Sequence, residues 1–380
     1  MLRYMTAGES HGKALIAVLE GIPAKLRLNP DIINNELKRR QLGPGRGDRM
    51  KIESDRVEIL SGIRKGFTIG SPIALLIMNK DFKIDTLPPV NYPRPGHADL
   101  AGMIKYGLDD ARDILERASA RETSARTAAG AVCRAFLREL GIDVFSHIKS
   151  LADVEADTEG MDLALIRKKA SASSLNCADK ASEALMLERI SRAKACGDTL
   201  GGCFEVIALN VMPGLGSHVH YDRKLDAAIA FELMSIQAIK GVEIGAGFNG
   251  AALPGSCFHD AIGLARGGAI LRNTNNAGGI EGGISNGEPI RVSCAMKPIA
   301  TLINALSSVN MKTGKPGKAD IQRSDVCALP AASVIAENVM CFVIARAVLE
   351  KLGGDSMDEI RQRFACQAKS CFAVKSRKRK

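Results

Sequence analysis

The glycines of this chain gather rather than scatter. Of the 37, tight groups fall at Gly43-Pro44-Gly45-Arg46-Gly47, at 245–250, at Gly267-Gly268 and at 278–287. Each group ends any helix or strand that runs into it, because glycine loses the most backbone entropy on ordering. Between these breaks, helical and strand segments alternate without the regular strand–helix–strand beat of a doubly wound parallel sheet. The pattern predicts an α+β fold.

Strands are expected at 14–19, 57–61, 73–78 and 201–209. Asn29-Pro30-Asp31 opens a helix that runs to Arg40, with Pro30 in the first turn and Lys38, Arg39 and Arg40 at the end where cations favour the dipole. Residues 98–140 read as helical, with Ala128, Ala129, Ala131 and Ala135 predicting close packing. Residues 153–195 are charged, Ala-rich and helical in period, an expected excursion from the core. Long helices are expected at 222–239 and 334–351, and a Pro/Gly-rich loop at 87–96. A length of 380 residues alone suggests two or three domains.

Composition excludes several classes. With 46% apolar and 25% charged residues the proportions are globular, not disordered or collagenous. No apolar run is both long and uninterrupted enough for a membrane span, since Glu337 and Asn338 divide the longest. The 10 Cys form no CxxC, which predicts free thiols and a cytoplasmic protein. Of the formal charge of +10, Lys375, Arg377, Lys378, Arg379 and Lys380 carry half. Residues 366–380 are expected to be a disordered basic tail. A nucleic-acid-binding protein would interleave its cations with aromatics. Here aromatics are 4%, without Trp, and the arginines sit on Gly/Pro loops beside His and Asp.

Three segments could carry chemistry. Gly8-Glu9-Ser10-His11-Gly12 places glycines around a Ser–His pair, without the spacing of a nucleophile elbow. Residues 39–49 hold Arg39, Arg40, Arg46 and Arg49 with Asp48, a net +3 on a Gly-rich loop. Guanidinium forks suit carboxylates and phosphates, though a solvated loop would look the same. Arg94-Pro95-Gly96-His97-Ala98-Asp99 presents a candidate proton donor or acceptor in His97. Arg117, Arg121 and Glu122 follow at a spacing that also fits a surface ladder. Arg323-Ser324-Asp325 precedes the last long helix, where an acid is commonly a cap. His218 and His220 lack further ligands at metal-site spacing, so no metal is expected.

Taken together, these segments resemble the chorismate synthase family. The likeness continues through residues 117–130, Gly197-Asp198-Thr199-Leu200-Gly201-Gly202, 235–245, 276–287 and Lys297-Pro298. It implies a single catalytic domain over 1–365, built as a β-α-β sandwich and assembled as a homotetramer. It implies a lyase that converts 5-enolpyruvylshikimate 3-phosphate to chorismate and phosphate by 1,4-anti elimination, with reduced FMN. The family pattern puts substrate on Arg40, Arg46, Arg49, Arg94, Arg121 and Arg323. It makes His97 the general acid, places His11 with Ser10 beside the flavin, and has Asp325 assist loss of the C6 proton. Ser119 joins that hydrogen-bond network. For FMN the resemblance points to Arg117, Ala118, Ser119, Gln237, Ala238, Gly282, Lys297, Pro298, Ile299, Ala300, Thr301 and Arg323. It also raises NADP near Arg40 and Arg46, where the residues themselves show only an anion-binding loop. With no reductase-like segment in the sequence, reduced FMN is expected from a separate flavin reductase or other external source. A flavin-binding module without catalysis is the rival reading, for which His97 and Asp325 would be dispensable.

Overall fold

A computed structural model describes residues 1–46, 54–264 and 270–370. The strands of interest are β1 (Arg3–Ala7), β2 (Ala14–Glu20), β3 (Val57–Ile59), β4 (Ile73–Met78), β5 (Asp143–Leu151), β6 (Val154–Glu155), β7 (Gly202–Leu209), β8 (Ile239–Ile244) and β9 (Ile290–Met296). They form two antiparallel sheets, β1-β2-β4-β3 and β8-β9-β7-β5-β6. The helices are α1 (Pro30–Gln41), α2 (Asp99–Tyr106), α3 (Ala111–Ala118), α4 (Thr123–Arg138), α5 (Leu163–Ala172), α6 (Lys180–Cys196), α7 (Leu225–Met234), α8 (Leu329–Leu352) and α9 (Met357–Ser370).

Two helices fill the space between the sheets. One face of α4 packs on β2 and β4, while α8 packs on β5 and β7, and the two helices lie against each other. One hydrophobic cluster runs through all these layers, from Leu15 and Leu75 through Ala128 and Ala336 to Phe204 and Val292. The result is the expected α+β sandwich of sheet, helices and sheet. Helix α8 is long and apolar enough to cross a membrane, but 83% of its apolar window is buried inside the fold. A helix surrounded on all sides needs no polar face. Its interruption, Glu337, is fully matched inside: Arg39 binds it with two hydrogen bonds of 2.8 and 2.9 Å, and Arg134 and Ser146 each donate at 2.7 Å.

Helix α1 starts where the sequence predicts, with Asn29 Oδ1 accepting from Ile32 N at 3.1 Å. Elsewhere boundaries differ. The region 98–140 is not one helix. Gly107, at φ +64°, stops α2, Asp110 caps α3, and Ser119 is extended before a 3-10 turn at Ala120–Glu122. The expected helix at 222–239 ends at Met234, and Ile239 begins β8 instead. Residues 153–195 include β6 as well as α5 and α6, and Met186 and Ile190 of α6 join the main core. Helix α9 continues to Ser370, past the expected start of the tail at 366. Arg49 and Gly267-Gly268 lie outside the described residues, as do Lys375 to Lys380.

Candidate functional site

The breaks on either side of α3 shape the site. They turn Ser119 and Arg121 back toward the first turn of the chain, where a cavity of about 670 Å³ opens. Its wall combines Ser10 and His11, Arg40 and Arg46 at the end of α1, the 94–98 loop, the 118–123 turn, the 236–238 turn, residues 296–301, and the 321–325 loop. Among the described residues, eight of those on its wall are Arg or Lys, and Asp325 is the one acid.

Behind the wall, buried Asp55 joins two arginines. It binds Arg121 Nη1 at 2.5 Å and lies 3.5 Å from Arg40 Nη1, with Ser124 Oγ donating at 3.0 Å. Arg40 also donates to Thr123 Oγ1 and Ala120 O, both at 3.0 Å, and Arg121 to Asn79 Oδ1 at 2.9 Å. All three charged groups are at most 5% exposed. Burial pushes the Arg40 guanidinium down to about 10, against the pull of Asp55. Two fixed cations held by one acid leave an excess of positive charge at the wall.

Each cavity histidine is held by a buried carboxylate. His97 Nδ1 meets Asp99 Oδ1 in a short hydrogen bond. Asp99, at 0% exposure, also accepts from Arg94 Nε at 2.8 Å and Arg94 N at 3.1 Å. Burial opposes the charge on Asp99, but the His97 and Arg94 hydrogen bonds prevail and hold its carboxyl well below the usual range. Arg94 Nη1 donates to Thr301 Oγ1 at 2.7 Å, which ties the 94–98 loop to the 296–301 wall. His11 Nδ1 stands 2.9 Å from Glu116 Oε1, and His11 N donates to Glu116 Oε2 at 2.7 Å. Ser119 Oγ donates to Ser10 Oγ at 3.3 Å.

The late loop closes the site. Asp325 pairs with Arg46 at 2.7 Å rather than capping α8, whose N-cap Ala328 has no side-chain bond. Arg323 is half exposed and donates to Asp81 at 2.6 Å, which Lys83 also holds at 2.9 Å. Those hydrogen bonds, first that of Lys83, lower the Asp81 carboxyl.

Most predicted residues meet here: Ser10, His11, Arg40, Arg46, Arg94, His97, Ala118, Ser119, Arg121, Gln237, Ala238, Lys297, Ile299, Ala300, Thr301, Arg323 and Asp325 all line the cavity. Three do not. Arg117 is exposed and donates to Gly8 O and Thr6 O at 2.9 and 3.0 Å, tying α3 to the chain start. Gly282 sits on the hairpin 280–285 with open space beside it. Pro298 packs on Gly201 instead of facing the cavity. Sequence reasoning missed Lys83, Arg112, Asp55 and Glu116. Arg112 and Glu116 stand four apart, a spacing usually read as a surface pair, yet both are buried. No group of metal-binding side chains occurs among the described residues, and His218 and His220 are exposed.

Comparison with known proteins shows the family. A family model described as chorismate synthase matches residues 2–349. The chorismate synthase of Pelobacter propionicus is 53% identical, over 96% of this chain and 98% of that protein. That of Aquifex aeolicus is 52% identical, over 96% of each. A crystal structure of chorismate synthase superposes with a TM-score of 0.79 at 46% identity, over 96% of both chains. The chain therefore belongs to the chorismate synthase family, lyases that form chorismate in the shikimate pathway of aromatic amino-acid biosynthesis.

Proposed function

We propose that the cavity binds 5-enolpyruvylshikimate 3-phosphate against reduced FMN, and that chorismate forms there by 1,4-anti elimination of the C3 phosphate and a C6 hydrogen. The observation that carries this reading is the wall itself: among the described residues, eight cations and one acid around two carboxylate-held histidines. A substrate with two carboxylates and a phosphate cannot leave water without fixed countercharge, and arginine stays protonated when buried.

Part of the same wall fits a flavin. Gln237 Oε1 is buried without a hydrogen-bond partner among the described residues, while Nε2 donates to Glu122 at 3.3 Å. An amide oxygen left so suits a ligand N–H. Ala118, Ser119, Ala238, Lys297 and residues 299–301 complete that wall. When bound, reduced FMN supplies electron density to the reacting ring.

The chain's own residues do the rest. Arg40, Arg46, Arg94, Arg121 and Arg323 hold the anionic groups, and Arg49 joins them by its place in the motif. His97, oriented by Asp99, donates a proton to the departing phosphate. Asp325, oriented by Arg46, is the carboxylate nearest in kind to the task of taking the C6 proton. His11 and Ser10 serve the flavin side. Arg40 and Arg46 open on this same cavity, so the geometry sets apart no separate NADP site there.

Reduced flavin is supplied by a separate reductase in this reading. The working form is a homotetramer in the cytoplasm, in keeping with nine free cysteines among the described residues. The test is anaerobic: purified protein, reduced FMN and the phosphorylated substrate, with chorismate and phosphate followed together. Equal release of both is expected. No product under those conditions overturns the proposal.

A further inference from the structure

Glu122 lies behind the cavity wall, between Arg121 and Thr123, which both face the cavity. Its place in the sequence fits a surface ladder with Arg117, yet it is half-buried and its carboxylate is engaged at both oxygens. Oε1 accepts from Thr6 Oγ1 at 2.7 Å, and Oε2 accepts from Gln237 Nε2 at 3.3 Å. Gln237 lines the cavity, and its Oε1 is buried with no hydrogen-bond partner among the described residues.

The direction of each hydrogen bond is fixed from the far end. Arg117 Nη2 donates to Thr6 Oγ1 at 2.9 Å, and a guanidinium has no acceptor to offer. The Thr6 hydroxyl therefore directs its own proton to Glu122. A carboxylate only accepts, so Gln237 must turn its NH2 to Glu122 and leave its oxygen for a ligand. The backbone under Gln237 has its own ties: Ile239 N donates to Ile236 O at 3.2 Å, and Lys297 N to Ala238 O at 3.0 Å. Glu122 thus sets which way the amide faces, not where the turn lies.

We propose that Glu122 is a positioning residue for the flavin: it holds the Gln237 amide so that Oε1, an acceptor, meets a hydrogen-bond donor of the bound cofactor. That a flavin binds here rests on the function proposed above. Reduced FMN offers such donors in its ring N–H groups at N3 and N5 and in its ribityl hydroxyls. A reversed amide would set its NH2 against that donor and leave both unpaired.

Glu122→Gln should reverse the amide. Thr6 still needs an acceptor, so it takes the new amide oxygen, and the new NH2 faces Gln237. Gln237 must then answer with its own oxygen and turn its NH2 toward the ligand. Anaerobic fluorescence titration of the full-length protein with reduced FMN should show affinity weakened by about tenfold or more. Adding Gln237→Glu restores the acceptor, since one oxygen of the new carboxylate takes the new NH2 and the other meets the ligand. This double variant keeps the parent's charge and should recover most of the affinity. In a Gln237→Leu protein, which has no amide to turn, Glu122→Gln should cost nothing further. Repeating the titrations with oxidised FMN, which lacks the N5–H, and with 3-methyl-FMN, which lacks the N3–H, names the donor. The form that abolishes the penalty is the one without it, and a penalty kept in both assigns a ribityl hydroxyl. Equal affinity for reduced FMN in the parent and Glu122→Gln overturns the proposal. So does a loss that Gln237→Glu fails to relieve in a protein with parental thermal unfolding, or the same loss in the Gln237→Leu background. Either would make Glu122 a support of the fold that does not act through Gln237. If Glu122→Gln does not fold, the double variant decides, because weakened binding there with the fold intact also overturns the proposal. A parent that binds no FMN would overturn the function proposed above as well.

Discussion

At the scale of the residue, the site is a set of cations and histidines held in place by acids. Asp55 serves Arg40 and Arg121, Asp99 serves Arg94 and His97, and Glu116 serves His11. The cations were legible because Arg on Gly/Pro loops is an unusual arrangement with a chemical purpose. Their acids were not. Asp99 stood within a conspicuous segment, but nothing in its spacing announced that it would orient the neighbouring ring. Asp55 belongs to no pattern, and only the fold brings it to Arg121. This division gives His97→Ala a clean outcome. Asp99 keeps its bonds from Arg94 Nε, Nη2 and N when the imidazole is removed, so the loop has reason to stay folded. Turnover should drop by about 10²–10⁴-fold, the usual worth of a general acid, while reduced FMN still binds in a fluorescence titration. Flavin binding lost together with turnover would show that His97 builds the pocket rather than donates the proton.

At the scale of the element, what could be read was whatever signals itself locally. Asn29 caps α1, the alternation of β2 buries one face, and the largely apolar stretch interrupted by Glu337 and Asn338 reads as a long helix, α8. The 222–239 segment reads as one helix because no glycine or proline marks its stop at Met234. Past that stop, Ala238 at φ +69° takes a conformation that tertiary contacts impose on a non-glycine residue, just before Ile239 begins β8. Gly130 shows the same precedence of packing over propensity. Alanine there would gain about 1 kcal/mol of helix propensity. Its Cβ, however, would stand 2.3 Å from Asn338 O on α8, between two backbones with no slack. Gly130→Ala should therefore lower stability by about 3 kcal/mol or more in chemical denaturation, and a neutral or stabilising result would refute the close contact. The five-stranded sheet offers a pH test. Glu205 on β7 accepts from Arg291 at 2.9 and 3.0 Å and pairs with His147 at 3.0 Å. Burial opposes its charge, but the His147 and Arg291 hydrogen bonds bring it from 4.5 down to about 2. A depressed carboxyl stabilises the fold fully above its unfolded value and loses that contribution as pH falls through the folded one. The stability gap between parent and Glu205→Gln should be about 3 kcal/mol near neutrality, level above pH 5, and narrowing below about 4.5 toward 2. A gap that widened on acidification would reverse the assignment.

At the scale of the whole molecule, the question is where the positive charge acts. Half of the +10 lies in the last six residues, and the rest is a small excess over a chain with 42 acids. A charge-count argument would credit the tail with attracting an anionic substrate. The cavity argues otherwise, because its cations line one concave wall where field lines are concentrated, whereas charges in open solvent are screened within about 10 Å at 0.1 M salt. The two origins separate on one comparison. In the full chain, kcat/KM should fall by about tenfold between roughly 0.05 and 0.5 M salt, with kcat nearly constant, as expected when attraction and not chemistry is weakened. Deleting residues 371–380 removes five positive charges and no acids, yet leaves every wall residue in place. The shortened chain should keep both its kcat/KM and its salt slope. A slope that flattened on deletion would assign the attraction to the tail. A slope unchanged by deletion but absent in both proteins would mean that the arginines act only after the substrate has arrived, as fixed partners in the cavity rather than as a field that reaches beyond it.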